Sequence, residues 1–121
     1  MEQVTLGSTG ITVNKNGFGA LPIQRITDED AVHLVQKAYD AGITFFDTAR
    51  FYTDSEEKLG IALEGIRDKV FVATKTAASN AKEFFEQLET SLHNLRTDYV
   101  DIYQFHNPAV CPKPGDGSGL Y

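Results

Sequence analysis

Three β-prone runs in this chain each end in an ionisable residue, and helical stretches separate them. Residues 43–46 lead into Asp47, residues 70–74 into Lys75, and residues 99–105 into His106. Alternation of strand and helix signals implies a parallel sheet with right-handed crossovers. Parallel strands all point one way, so their three ionisable ends open on the same face. Tyr52 follows Asp47 after a short stretch, close enough to bring its hydroxyl back over that face.

The remaining elements fit this frame. Residues 4–6 and 11–13 read as a hairpin around Gly7-Ser8-Thr9-Gly10. Residues 16–21 read as a short buried strand that ends before Pro22. Thr27 is the expected N-cap of a first helix, with Asp28, Glu29 and Asp30 in the first turn. Its apolar stripe is Ala31, Leu34, Val35 and Ala38, and Gly42 stops it. Ser55 is expected to cap a second helix, led by Glu56 and Glu57, through Leu63. Asn80 and Glu83 form a capping-box-like pair for a third, whose stripe is Phe84, Phe85, Leu88, Leu92 and Leu95. The whole of residues 1–121 reads as a single partial domain, with residues 107–121 as a Gly/Pro-rich, loop-like tail.

Composition narrows the function classes. The chain is 41% hydrophobic and 23% charged, as in a soluble globular protein. Its net charge of −6 leaves no basic stripe for nucleic acid. The only cysteine is Cys111, so neither an internal disulfide nor a cysteine metal site is expected. A cytoplasmic setting is expected, without a signal peptide or membrane span. Residues 17–22 lack a G-x-G-x-x-G pattern, which disfavours a dinucleotide-type Rossmann start.

The run Gly42-Ile43-Thr44-Phe45-Phe46-Asp47-Thr48-Ala49-Arg50-Phe51-Tyr52, with Ser55-Glu56 and Leu59-Gly60 after it, resembles the aldo-keto reductase motif. Val72-Ala73-Thr74-Lys75 and Gln104-Phe105-His106 resemble that family's next two strand ends. The opening hairpin and Gly17-Phe18-Gly19 also fit, so the resemblance covers nearly all of the chain. It implies an α/β fold of the TIM (β/α)₈ type, present as the hairpin plus about four βα units, a half-barrel. It also implies reduction of aldehydes and ketones with NADP(H) and no metal.

Carried over by position, the resemblance makes Asp47, Tyr52, Lys75 and His106 catalytic. Hydride delivered to a carbonyl carbon leaves an alkoxide that needs a proton. Tyr52 would donate it. A nearby ammonium stabilises phenolate, the role implied for Lys75. Asp47 would hold Lys75, and His106 would orient the carbonyl oxygen. Taken alone, each has an ordinary reading: capping acid, packing aromatic, solvated lysine, loop histidine. Gly19, Ala20 and Leu21, with Asp47, are the expected cofactor contacts. Arg50 and Asn107 flank the expected mouth and are candidate substrate contacts.

A complete barrel needs about 250 residues. The expectation is therefore a truncated reductase with little activity alone. Open strand edges and an uncovered inner face favour self-association or pairing with the missing barrel half. The alternatives are a non-catalytic regulatory module of the same fold and an inert self-associating fragment.

Overall fold

The computed structural model describes residues 2–121. An antiparallel hairpin opens the chain: β1 (Gln3–Thr5) pairs with β2 (Thr12–Asn14), Val4 opposite Val13. Gly7 and Gly10 take positive φ at its turn, where a Cβ would be strained. The Asn14 side-chain amide ties the hairpin to the Gly42 carbonyl.

The main sheet holds β3 (Phe18–Gly19), β4 (Phe45–Asp47), β5 (Phe71–Thr76) and β6 (Ile102–Phe105), in that order and all parallel. The helices α1 (Asp28–Asp40), α2 (Ser55–Ala62) and α3 (Ala81–Leu95) connect successive strands from β3 onward. The arrangement is the hairpin and four-strand arc of a (β/α)₈ half-barrel. Three strands are shorter than the sequence pattern predicts: the run 43–47 pairs only from Phe45. The run 16–21 keeps ladder pairing only at Phe18 and Gly19, and the run 99–105 only from Ile102. Hydrophobic run length does not set strand length; partner register does.

The core lies between sheet and helices. Phe46, Val72, Val35 and Leu59 are fully buried there, each contributing roughly 1.5–3 kcal/mol by burial. The α1 N-cap is as expected: the Thr27 hydroxyl accepts from the Asp30 amide. At α3 the Asn80 side chain accepts from the Glu83 amide, while the Glu83 carboxylate accepts from the amide and hydroxyl of Ser79.

Other expectations are corrected. The residue before α2 is Asp54, and Ser55 is its first residue. The Ser55 hydroxyl instead donates to the Ala20 carbonyl and shares a hydrogen bond with Thr48 Oγ1, both at 2.8 Å. Leu34 and Phe85 are exposed although helical spacing puts them on the apolar stripes. The stripe of α3 that packs centres on Phe84, whose ring meets Tyr103 and Phe105, and on buried Leu95. Helix α2 is almost enclosed: Ser55, Glu56, Lys58, Leu59, Gly60 and Ala62 are buried, while Glu57 is exposed.

Candidate active site

Strand register sorts the side chains. Phe46, Val72 and Thr74 face the helices, so Phe45, Asp47, Ala73 and Lys75 face the opposite, inner side. Gly19 pairs with Asp47, and Lys75 pairs with Gln104, one residue before the end of β6. The C-terminal strand ends therefore gather on one face.

Asp47 and Lys75 make direct contact there. Lys75 Nζ donates to Asp47 Oδ1 at 2.9 Å, to Oδ2 at 2.8 Å and to the Thr48 carbonyl at 2.8 Å. These three acceptors match the three protons of an ammonium group. The same Nζ lies 5.4 Å from the centroid of the Tyr52 ring, within range of a cation–π contact. The Tyr52 ring meets His106 edge to face, with centroids 5.4 Å apart. The four residues thus form one cluster, with Tyr52 between Lys75 and His106.

Tyr52 reaches this position through a tight turn. Backbone amides of Thr48 and Arg50 donate to the carbonyls of Ala73 and Lys75, extending the register of β4 along β5. The Tyr52 amide then donates to Ala49 O, and the Ser55 amide to Tyr52 O. Thr53 in this turn adopts a left-handed φ of 40° and donates its hydroxyl to Gln24.

At the first strand end the three expected cofactor contacts differ in exposure. Leu21 is exposed, and Gly19 has nothing within 4 Å of where a Cβ would stand. Ala20 is fully buried in the core. Its amide donates to Asp47 O and its carbonyl accepts from the Ser55 hydroxyl.

The two candidate substrate contacts separate. Asn107 is exposed in a left-handed conformation, φ 46°, on the lip of a cleft of about 480 Å³ that His106 and Val110 also line. Arg50 turns instead toward the helix layer, where its Nη1 donates to Glu56 Oε1 at 2.6 Å. Glu56 Oε2 accepts from the Thr74 hydroxyl at 2.7 Å, on the helix-facing side of β5.

Two buried ionic groups escape the sequence reading. Glu56 is 1% exposed and Lys58 is 3% exposed. Lys58 Nζ donates to the Ile23 and Ile26 carbonyls and pairs with Asp54, clamping the loop after β3. An acid in a first helical turn reads locally as a solvated dipole partner. The one available signal is Thr74, a hydroxyl set on the helix-facing side of an otherwise apolar strand.

Comparison with known proteins identifies the family. Residues 13–111 match the model of the aldo/keto reductase family. The chain is 38% identical, over 89% of its length, to the aldo-keto reductase YhdN of Bacillus subtilis. It is 36% identical, over 88% of its length, to the L-galactose dehydrogenase of Arabidopsis thaliana. It spans 38% of the length of each of these relatives. A Klebsiella pneumoniae aldo-keto reductase solved in complex with NADPH superposes with a TM-score of 0.81 at 28% identity, over 93% of this chain and 42% of that one. On its motifs, its fold and these relatives together, the chain belongs to the aldo/keto reductase family.

Proposed function

We propose that this chain carries the proton-transfer residues of an NADP(H)-dependent oxidoreductase that interconverts aldehydes or ketones and alcohols. The observation that carries the reading is the placement of Tyr52 between Lys75 and His106, each 5.4 Å from its ring.

The residues at the first strand end fit a nicotinamide. The open space at Gly19 lets a flat ring approach the backbone beside Asp47, and Leu21 offers exposed apolar surface next to it. When bound, the nicotinamide supplies the hydride. The NADPH complex of the Klebsiella pneumoniae relative supports this choice of cofactor.

The chain's own residues divide the remaining work. Tyr52 donates its hydroxyl proton to the carbonyl oxygen as that oxygen gains charge. The Lys75 ammonium stabilises the phenolate left behind. Asp47 holds Lys75 in place through two hydrogen bonds. His106 orients the carbonyl oxygen from the other side of Tyr52. Asn107, on the lip of the adjoining cleft, contacts the substituents of the substrate.

Tyr52→Phe tests this reading in the protein that carries the chain. It is expected to abolish NADPH oxidation by small aldehydes while leaving NADPH binding unchanged. Wild-type turnover by the variant would overturn it. The chain alone spans 38% of its relatives' length, and we infer that it binds NADPH weakly. Micromolar binding in a fluorescence titration contradicts that inference.

The inner face supports a pairing reading as well. Phe45, Phe71 and Ile102 lie half-exposed there, and β3 and β6 are edge strands. Such surfaces pair with further strands, and a second half-barrel fits them. Sedimentation at several concentrations tests this; a strictly monomeric, cooperatively folded chain contradicts it.

A further inference from the structure

Apart from buried Ala49, the turn that carries Tyr52 has little apolar burial to hold it. Phe51 is 59% exposed and Thr53 is exposed. Its strongest side-chain anchor is ionic. Arg50, two residues before Tyr52, reaches Glu56 at 2.6 Å, and the Glu56 side chain is wholly buried. Glu56 also accepts from Thr74 on β5 at 2.7 Å and from the Asn94 side chain on α3 at 3.4 Å. Thr74 is the neighbour of Lys75 on the same strand. One face of β5 therefore presents Lys75 to the Tyr52 ring, while its other face grips the carboxylate that grips Arg50.

A buried ion pair is a poor way to add stability, since desolvation offsets much of the attraction. It is a good way to fix an orientation, because a guanidinium bonds carboxylates in few directions. We propose that the Arg50–Glu56 pair is a positioning device that references the Tyr52 turn to β5, and so sets the Tyr52 ring against Lys75 and His106. Arg50 thereby acts through Tyr52 and touches no substrate. The catalytic part of this inference rests on the reading of Tyr52 given above; the positioning part does not.

The test uses the 121-residue chain and the variants Arg50→Met, Arg50→Lys and Glu56→Gln. The control is Arg67→Met, which breaks a comparable pair, Arg67–Asp101 at 3.0 Å, below the N-terminal end of β5. The readout is the nuclear Overhauser signal between the Tyr52 and His106 rings, assigned with Tyr52→Phe, alongside the thermal midpoint. Wild type and Arg67→Met are expected to show the signal. Arg50→Met and Glu56→Gln are expected to abolish it with the amide spectrum of β5 intact, and Arg50→Lys to keep part of it. If Glu56→Gln does not fold, the two Arg50 variants decide.

Survival of the signal in Arg50→Met overturns the proposal. So does its absence in wild type, or an equal drop in Arg50→Met and Arg67→Met. In the parallel assay of NADPH-dependent aldehyde reduction, run as for Tyr52→Phe in the protein that carries the chain, Arg50→Met is expected to lower kcat at least about tenfold with KM little changed, as misplacement of a reacting group does. An unchanged kcat overturns the catalytic part. A wild type without turnover, whose rings still meet while the Arg50 and Glu56 variants part them, overturns the reading of Tyr52 and leaves the positioning role standing.

Discussion

Lys75 reaches from β5 to Asp47 on the neighbouring strand and bonds both of its carboxylate oxygens, at 2.9 and 2.8 Å. The two partners are unequally shielded: the Lys75 side chain is 16% exposed and that of Asp47 is 36% exposed. Removing one partner strands the other's charge, and the cost grows with the burial of the charge left behind. Asp47→Ala is therefore expected to destabilise the fold by about 2 kcal/mol and Lys75→Met by about 1 kcal/mol. Urea denaturation of both variants checks the order; a larger loss for Lys75→Met contradicts it.

Gly60 is where α2 and α3 touch backbone to backbone. A Cβ there would lie 2.4 Å from Asn94 O and 2.9 Å from Leu95 C. Neither atom belongs to a flexible side chain, so the helices must part. Gly60→Ala is expected to cost at least about 2 kcal/mol, although alanine is intrinsically the better helix former. A melting temperature equal to or above wild type would show that the helices separate freely.

Lys58 holds the loop after β3 by donating to Ile23 O at 2.9 Å and Ile26 O at 2.7 Å. Lys58→Met keeps the apolar stem but leaves the buried Ile23 carbonyl without that donor, a loss of about 1–3 kcal/mol. Hydrogen exchange should rise first around residues 23–27, the segment beside Leu21. Unchanged protection there would count against the clamp.

Four titrating groups shape the pH dependence of stability. Asp54 is held low chiefly by the Lys58 ammonium, Glu83 by the Ser79 amide and hydroxyl, and Asp116 by Ser118. A depressed folded value means stability that is present above the ordinary values of 3.8 to 4.5 and lost as pH falls through the folded ones. Tyr103 is shifted the other way, raised by burial and by the Glu56 charge. Its contribution is present below the ordinary value of 10.0 and lost as pH rises beyond it. Urea midpoints followed across pH should show both limbs. Glu83→Gln should flatten the acid limb and Tyr103→Phe the alkaline one.

Local pattern alone was enough for the order of elements and for the four clustered residues. Strand and helix periods differ, so the βαβ alternation is legible without any long-range knowledge. Parallel direction then places every strand end on one face, which is why Asp47, Lys75 and His106 could be grouped from sequence and why Tyr52 falls among them. Only the tertiary structure decided what the polar residues between those ends do. Arg50 read as a candidate substrate contact and Glu56 as a leading acid of the second helix; together they form an ion pair whose carboxylate is wholly buried. Ser55 read as a cap, but it bonds Ala20, 35 residues away. Leu34 and Phe85 kept apolar spacing yet stayed exposed. The physical reason is the same in each case. Periodicity reports which face a residue occupies, whereas burial of a charge or exposure of a ring depends on what another segment, distant in the chain, brings against that face.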